Sequence, residues 1–545
     1  MNDKSVTGTN QSGHMYSYQE EQKVPEVIET GAIRRSLGDI NPNAIPNNQY
    51  NQYNQDNQDN QYNQIINNIG SNNNINNNLV RNTKSDKSPH FERLFFIFFG
   101  ILQIVFIIFI AIYYSKDILD IDLKGIKPFQ EINIFIFIGF GFLRSFIKYY
   151  SWTSIALTFI AGIVSFEFGL FIIICWSSLF KKNWSDGIFN FQHLLDTNYC
   201  SATVIIALGA VLGKLSFPQY FIMIFLGIFF STLNYVLLRQ TFRIIDVGGA
   251  LTVHLFGASF GAMFSFISLK TVSGREKNII KNSKKLGGDY NSNIFALFGS
   301  LILLTYWPSF NTSLLINNRD ELLKNKGIIN TFFALLGSII GTFCISPLCN
   351  QGKIKVKDIL NSSFSGGIVV AGCCHIINDF WPSILLGALC GGITTFLCNL
   401  LSDMFHKWGY HDTSEIFFYH GIPGFLGGII TAIFVGISKD LKDKERDEID
   451  PYIGSLLNYT SIENYTINYV NSTNYIMTPK YAGFHFIAIV ITIGIALASG
   501  IIAGFTIKFC NCKTAERYFT DSEFFYISDT EAFHLDEEQD SMNIN

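Results

Sequence analysis

Two short runs of the chain share one spacing. In DVGGALTVH (residues 246–254) and in DTSEIFFYH (residues 412–420), a histidine follows an aspartate by eight residues at the start of an apolar, glycine-rich stretch. Imidazole exchanges a proton near neutral pH, and an ionisable group placed inside a membrane marks a pathway for solute or proton. Two neutral rings in contact share one hydrogen bond, each fixing the tautomer of the other. They leave a polar line through a narrow apolar tube, which suits a small, neutral, hydrogen-bonding solute and excludes hydrated ions. Asp246 and Asp412 stand where a helix begins, so each can cap free N–H groups and complement the helix dipole. Taken singly, either histidine reads equally well as a core residue satisfied by a backbone carbonyl. The matched pair, with its matched acids, favours a functional site.

The elements that must carry these residues are membrane spans. The chain has 545 residues, 48% hydrophobic and only 15% charged, with 52 Phe; an average soluble protein carries about a quarter charged residues. Apolar blocks of about twenty residues are long enough to cross a ~30 Å hydrocarbon core as helices. About twelve such spans are expected, using ~20 residues as the crossing length, near 94–114, 132–150, 152–178, 199–214, 217–238, 247–268, 293–314, 329–347, 363–379, 382–401, 417–436 and 481–508. The fold class is therefore all-α, a polytopic membrane protein. A net charge of −4 gives no reason to expect nucleic acid. Most of the ten cysteines fall inside apolar blocks and read as small hydrophobes rather than disulfide partners. Residues 1–90 lack a signal-peptide core, and their Asn/Gln low complexity reads as a disordered cytoplasmic tail. The transmembrane domain is expected over 91–510 and a second cytoplasmic tail over 511–545.

Loop charge sets the orientation. The lysine-rich loops after the sixth span (LKTVSGREKNIIKNSKK) and after the eighth (KIKVK) place both termini in the cytoplasm. Loop 438–479 is then external, and it holds three N-glycosylation sequons, at Asn458, Asn464 and Asn471. The sixth and eleventh spans are five apart and so cross in opposite directions, the mark of an inverted five-helix repeat with its site near the midplane. Eight residues of helix rise about 12 Å, which carries each histidine close to the centre of a ~30 Å core. His254 and His420 are expected to meet there, one arriving from each side.

Longer motifs now bear on function. DVGGALTVHLFGASFG, YWPSFN, GAVLGKLSFPQ and HDTSEIFFYHGIPGFLGG resemble the Rhesus (Rh) glycoproteins, the eukaryotic branch of the ammonium transporter superfamily. IGFGFLRSF and RYFTDSEFFYISD are similar to Rh sequence as well, and the likeness runs in order over about residues 94–527. The resemblance implies a homotrimer in which each subunit holds its own pore for ammonia, with no cofactor and no bound metal. Carried over by position, His254 and His420 match the twin pore histidines, Asp246 and Asp412 the helix-start acids, and Phe310 one of two stacked gate aromatics. The second gate position falls on Tyr199, where Rh proteins carry Phe. Two further departures stand out. His375 occupies a position that is usually acidic in the family. In STLNYVLLRQTF there is no Trp of the kind with which the ammonium-transporter branch holds the cation by cation–π attraction.

Ammonia passage is accordingly the expected function, with CO2 conduction or a non-conducting scaffold or sensor as the alternatives. A membrane enzyme of the di-metal type needs histidines clustered a few residues apart, and His193, His254, His375, His406, His411, His420 and His485 form no such boxes. The host bilayer is expected to be the plasma membrane or an acidic vacuolar or endosomal membrane.

Overall fold

The structure, a computed structural model, describes residues 89–113, 125–181, 191–242, 244–271, 274–315, 321–437, 479–509 and 517–525. The N-terminal low-complexity region up to residue 88 and the loop bearing Asn458, Asn464 and Asn471 lie outside the described residues.

Among the described residues the fold is entirely helical. Ten helices are long and apolar enough to cross a membrane: α2 (Ile126–Phe146), α3 (Ser151–Phe180), α4 (Phe191–Val211), α5 (Phe217–Arg239), α6 (Ala250–Lys270), α7 (Tyr290–Thr312), α8 (Glu321–Cys349), α11 (Trp381–Lys407), α12 (Phe417–Ile437) and α13 (Ala482–Phe509). Before them runs α1 (Pro89–Tyr113). Large apolar side chains such as Phe332, Ile340, Leu389 and Val490 remain exposed on the outer helices, as a lipid-facing belt requires. α4 is buried along nearly all of its length and occupies the centre.

The expected ninth span departs from a continuous helix. Residues 356–377 form two short pieces, α9 (Val356–Ser362) and α10 (Ser365–Val369), followed by tight turns. Side chains of neighbouring helices capture the carbonyls that this break frees. Asn311 donates to Gly367 O at 2.8 Å, and Asn330 donates to Cys374 O and Ile377 O at 2.9 and 2.8 Å. Irregular backbone at membrane depth is tolerated when it is buried and satisfied in this way. The segment still runs back along α8: Asn330 meets 374–377, Ser338 Oγ bonds Ser362 O, and Ser346 Oγ bonds Asp358.

Glycine contacts give the relative sense of the helices. A methyl group at Gly387 would overlap the Ala334 carbonyl, and one at Gly391 would overlap the Ser338 carbonyl, so α8 and α11 lie side by side, parallel and backbone to backbone. Between α12 and α6 the order is reversed: Gly421 faces Ala258, Gly424 faces Leu255 and Ala250, and Gly428 faces Leu251. The two histidine-bearing helices therefore run antiparallel, as the odd offset of their spans requires.

Candidate functional site

Each arm of the site is built the same way. On one arm the Asp246 carboxylate accepts hydrogen bonds from Leu251 N, Thr252 N and Thr252 Oγ1, the last two at 2.8 Å. Gly249 adopts φ +75°, a left-handed conformation that glycine reaches without steric cost, and this lets the chain turn into α6. On the other arm Asp412 Oδ2 accepts from Phe417 N at 3.1 Å and from Tyr410 Oη at 2.8 Å. Burial raises both carboxyls above the usual carboxylate range, and hydrogen bonds to helix amides oppose that rise. Both helices open with π-turns, Ala250–Leu255 and Phe417–Gly421, and each π-turn carries its histidine. π-turns widen the helix and re-aim side chains, and they recur at functional positions.

His254 and His420 meet. Their Nδ1 atoms are 3.2 Å apart and the rings stack with centroids at 5.3 Å and planes within 10°. Both rings are buried. One Nδ1 must donate and the other accept, so the two tautomers are complementary. Among the described residues His254 Nε2 has no hydrogen-bond partner.

Aromatic rings continue the line on both sides. Tyr199 stacks on Phe310 at 4.6 Å and 12°, and Phe310 stacks on Phe135 at 4.7 Å and 17°. Phe310 lies 6.3 Å from the His254 ring. The Tyr199 hydroxyl donates to Phe310 O and lies 3.0 Å from Ser313 Oγ, so it serves as a latch rather than as a free polar group. Trp307 lies flat beside His254 at 5.8 Å, and beyond His420 comes Phe140 at 6.2 Å. The two departures noted in the sequence take up places nearby. His375 is fully buried in the turns after α10, where Asn330 holds the neighbouring carbonyls. In the stretch without Trp, Arg239 donates to Asp246 O at 3.3 Å and lies over Tyr235, whose hydroxyl bonds Asp196 at 2.6 Å.

Sequence reasoning named His254, His420, Asp246, Asp412, Tyr199 and Phe310. It missed Phe135, Trp307 and Phe140, which carry no signal in a chain this rich in aromatics. It also missed the charges on the Asp412 side. Lys357 pairs with Glu415 at 3.0 Å, Cys398 and Ser402 bond the same carboxylate, and Lys214 donates to Ala210 O and His411 O at 2.8 and 2.6 Å. Burial alone would lift the Glu415 carboxyl, but the adjacent Lys357 ammonium holds it down at about 2. The tail residues 517–525 dock on this same side: Phe519 N bonds Gly213 O, and Asp521 caps α3 through Trp152 N and Thr153 N.

Ten helices long and apolar enough to cross a membrane define a polytopic membrane protein. A sequence model of the Ammonium Transporter Family matches residues 94–516, and the chain belongs to that family. Among curated relatives, the ammonium transporter Rh type A of Canis lupus familiaris is 29% identical over 59% of this chain and 75% of its own length. The ammonium transporter Rh type C of Xenopus laevis is 31% identical over 56% of this chain and 62% of its own. The human Rh type C protein is 27% identical over 70% of this chain and 74% of its own. Among solved structures, Rh50 of Nitrosomonas europaea superposes with a TM-score of 0.59 at 24% identity, covering 77% of this chain and 97% of that one. Mep2 of Saccharomyces cerevisiae superposes with a TM-score of 0.53 at 15% identity, covering 75% and 92%.

Proposed function

We propose that the chain conducts ammonia across its membrane along the line Tyr199/Phe310, His254, His420. The observation that carries this reading is the 3.2 Å contact between the two Nδ1 atoms, made in buried surroundings by helices that enter from opposite sides. A bare cation there would face a desolvation cost of many kcal/mol, whereas neutral NH3 loses only hydrogen bonds that ring nitrogens can replace. Ammonium is drawn toward the mouth where Asp246 is held and gives up its proton to water outside the aromatic stack. NH3 then passes the paired rings, with His254 Nε2 offering the first polar contact, and takes up a proton from water on the side of Asp412 and Glu415. The relatives' printed names, ammonium transporter Rh types A and C, support the same solute.

The Rh likeness carries a homotrimer into this proposal, each subunit with its own path, with both termini cytoplasmic and a plasma or acidic vacuolar membrane as host. Stopped-flow measurement of internal pH in proteoliposomes tests it. An ammonium gradient is expected to raise internal pH faster than in empty vesicles, and the double substitution His254→Leu, His420→Leu is expected to remove the gain. Unaltered flux in the double variant would reject the histidine path. The same vesicles under a CO2 gradient separate the two gases, because CO2 needs no hydrogen-bonding pair.

A further inference from the structure

Arg144 is a buried charge that the ammonia path as described does not use. It opens the 3-10 turn Arg144–Phe146 that closes α2, four residues after Phe140, and is only 3% exposed. Its Nη2 donates to Ile205 O on α4, and the guanidinium carbon lies 5.7 Å from the Phe140 ring centroid. That ring is the one beside His420. Nη2 also lies beside Gly209, where an added methyl group would meet Arg144 Nη2 at 3.4 Å, Ser414 Cβ at 3.3 Å and Ile416 Cγ2 at 2.7 Å. Among the described residues Nη1 has no hydrogen-bond partner and no carboxylate forms an ion pair with Arg144.

Guanidinium keeps its charge in any protein setting, and burying it without a counter-charge is costly. Its one bond to Ile205 O is a tether that an uncharged amide could also make. A positive charge kept at such a cost, one ring away from the histidine pair, has its largest effect on other charges that enter the same path.

We propose that Arg144 is a specificity-determining residue, a fixed positive charge beyond His420 that turns back cations while neutral solute passes. The inference rests on the conduction reading above. The two legs through the Phe140 ring keep the guanidinium within about 12 Å of the His420 ring. At that distance, with an effective dielectric constant of ~20, one unit charge slows the entry of another by about tenfold, and by more at closer approach. The discrimination falls on ammonium, hydronium and alkali cations alike, because it acts on charge and not on size.

The test uses the full-length protein in liposomes, comparing wild type with Arg144→Met, Arg144→Gln and Arg144→Lys. Ammonia flux is read from internal pH, and cation leak from uptake of labelled methylammonium driven by an inside-negative potassium diffusion potential. The quantity compared is the ratio of potential-driven uptake to ammonia flux. Arg144→Met and Arg144→Gln are expected to raise this ratio about tenfold or more, with Gln retaining a donor for Ile205 O should Met disturb the fold. Arg144→Lys is expected to stay at the wild-type ratio. An unchanged ratio in both neutral variants overturns the inference, as does an equal rise in the lysine variant. Wild-type vesicles that show no ammonia flux defeat the conduction reading instead.

Discussion

Removing a single oxygen atom tests the aromatic gate. Tyr199→Phe keeps the ring that stacks on Phe310 at 4.6 Å and deletes only the hydroxyl that donates to Phe310 O and meets Ser313 Oγ at 3.0 Å. Ser313 Oγ still donates to Phe310 O at 3.0 Å, so no carbonyl is orphaned and the fold is expected to survive. Each hydroxyl carries one proton, so the variant loses one buried hydrogen bond, which weakens closure by about 0.5–1.5 kcal/mol. That moves the closed-to-open ratio by about 2- to 12-fold toward open. If ring opening limits entry, ammonia permeability in stopped-flow proteoliposomes rises by up to this factor, until the next barrier takes over. Permeability of Tyr199→Phe within twofold of wild type, or below it, would show that the hydroxyl does not hold the stack shut.

Two further expectations concern stability. Glu415 lies below its ordinary range of about 4.5, held at about 2 by Lys357 against the opposing effect of burial. Because the folded-state value is depressed, the pair's contribution is fully present above pH ~4.5 and is lost as pH falls toward ~2, a total of about 3 kcal/mol. Thermal midpoints of the detergent-solubilised protein should therefore fall between pH 5 and 3, and Glu415→Gln should start lower at pH 7 and flatten that fall; parallel curves would contradict the assignment. Gly387→Leu should separate α8 from α11, since any Cβ there overlaps the Ala334 carbonyl, at a cost of about 3 kcal/mol or more. Gly392→Ala, which meets the flexible Ile345 side chain at 3.3 Å and the Gly341 carbonyl at an ordinary 3.9 Å, should be tolerated. Fluorescence-detected elution after heating measures both, and equal midpoints for the two variants would refute the close-packing account.

Apolar block length and span parity are one-dimensional properties, so the sequence by itself determined the helical membrane class and the opposed directions of the histidine-bearing spans. The matched Asp-to-His spacing likewise put each acid just ahead of a helix start, but the expected eight-residue helical rise is not realised, because the helices begin only at Ala250 and Ile416 and each histidine sits in the opening π-turn. The break in the ninth span was not legible, because its apolar composition matches that of a continuous helix. What permits it are Asn311 and Asn330, brought alongside from α7 and α8. The Tyr199 latch joins residues 111 apart, the tether of Arg144 spans 61, and Lys357 finds Glu415 from a different helix. Such contacts depend on which faces of distant helices pack together. Only the tertiary structure decided that Arg144 would stand by the histidines with, among the described residues, no carboxylate paired to it.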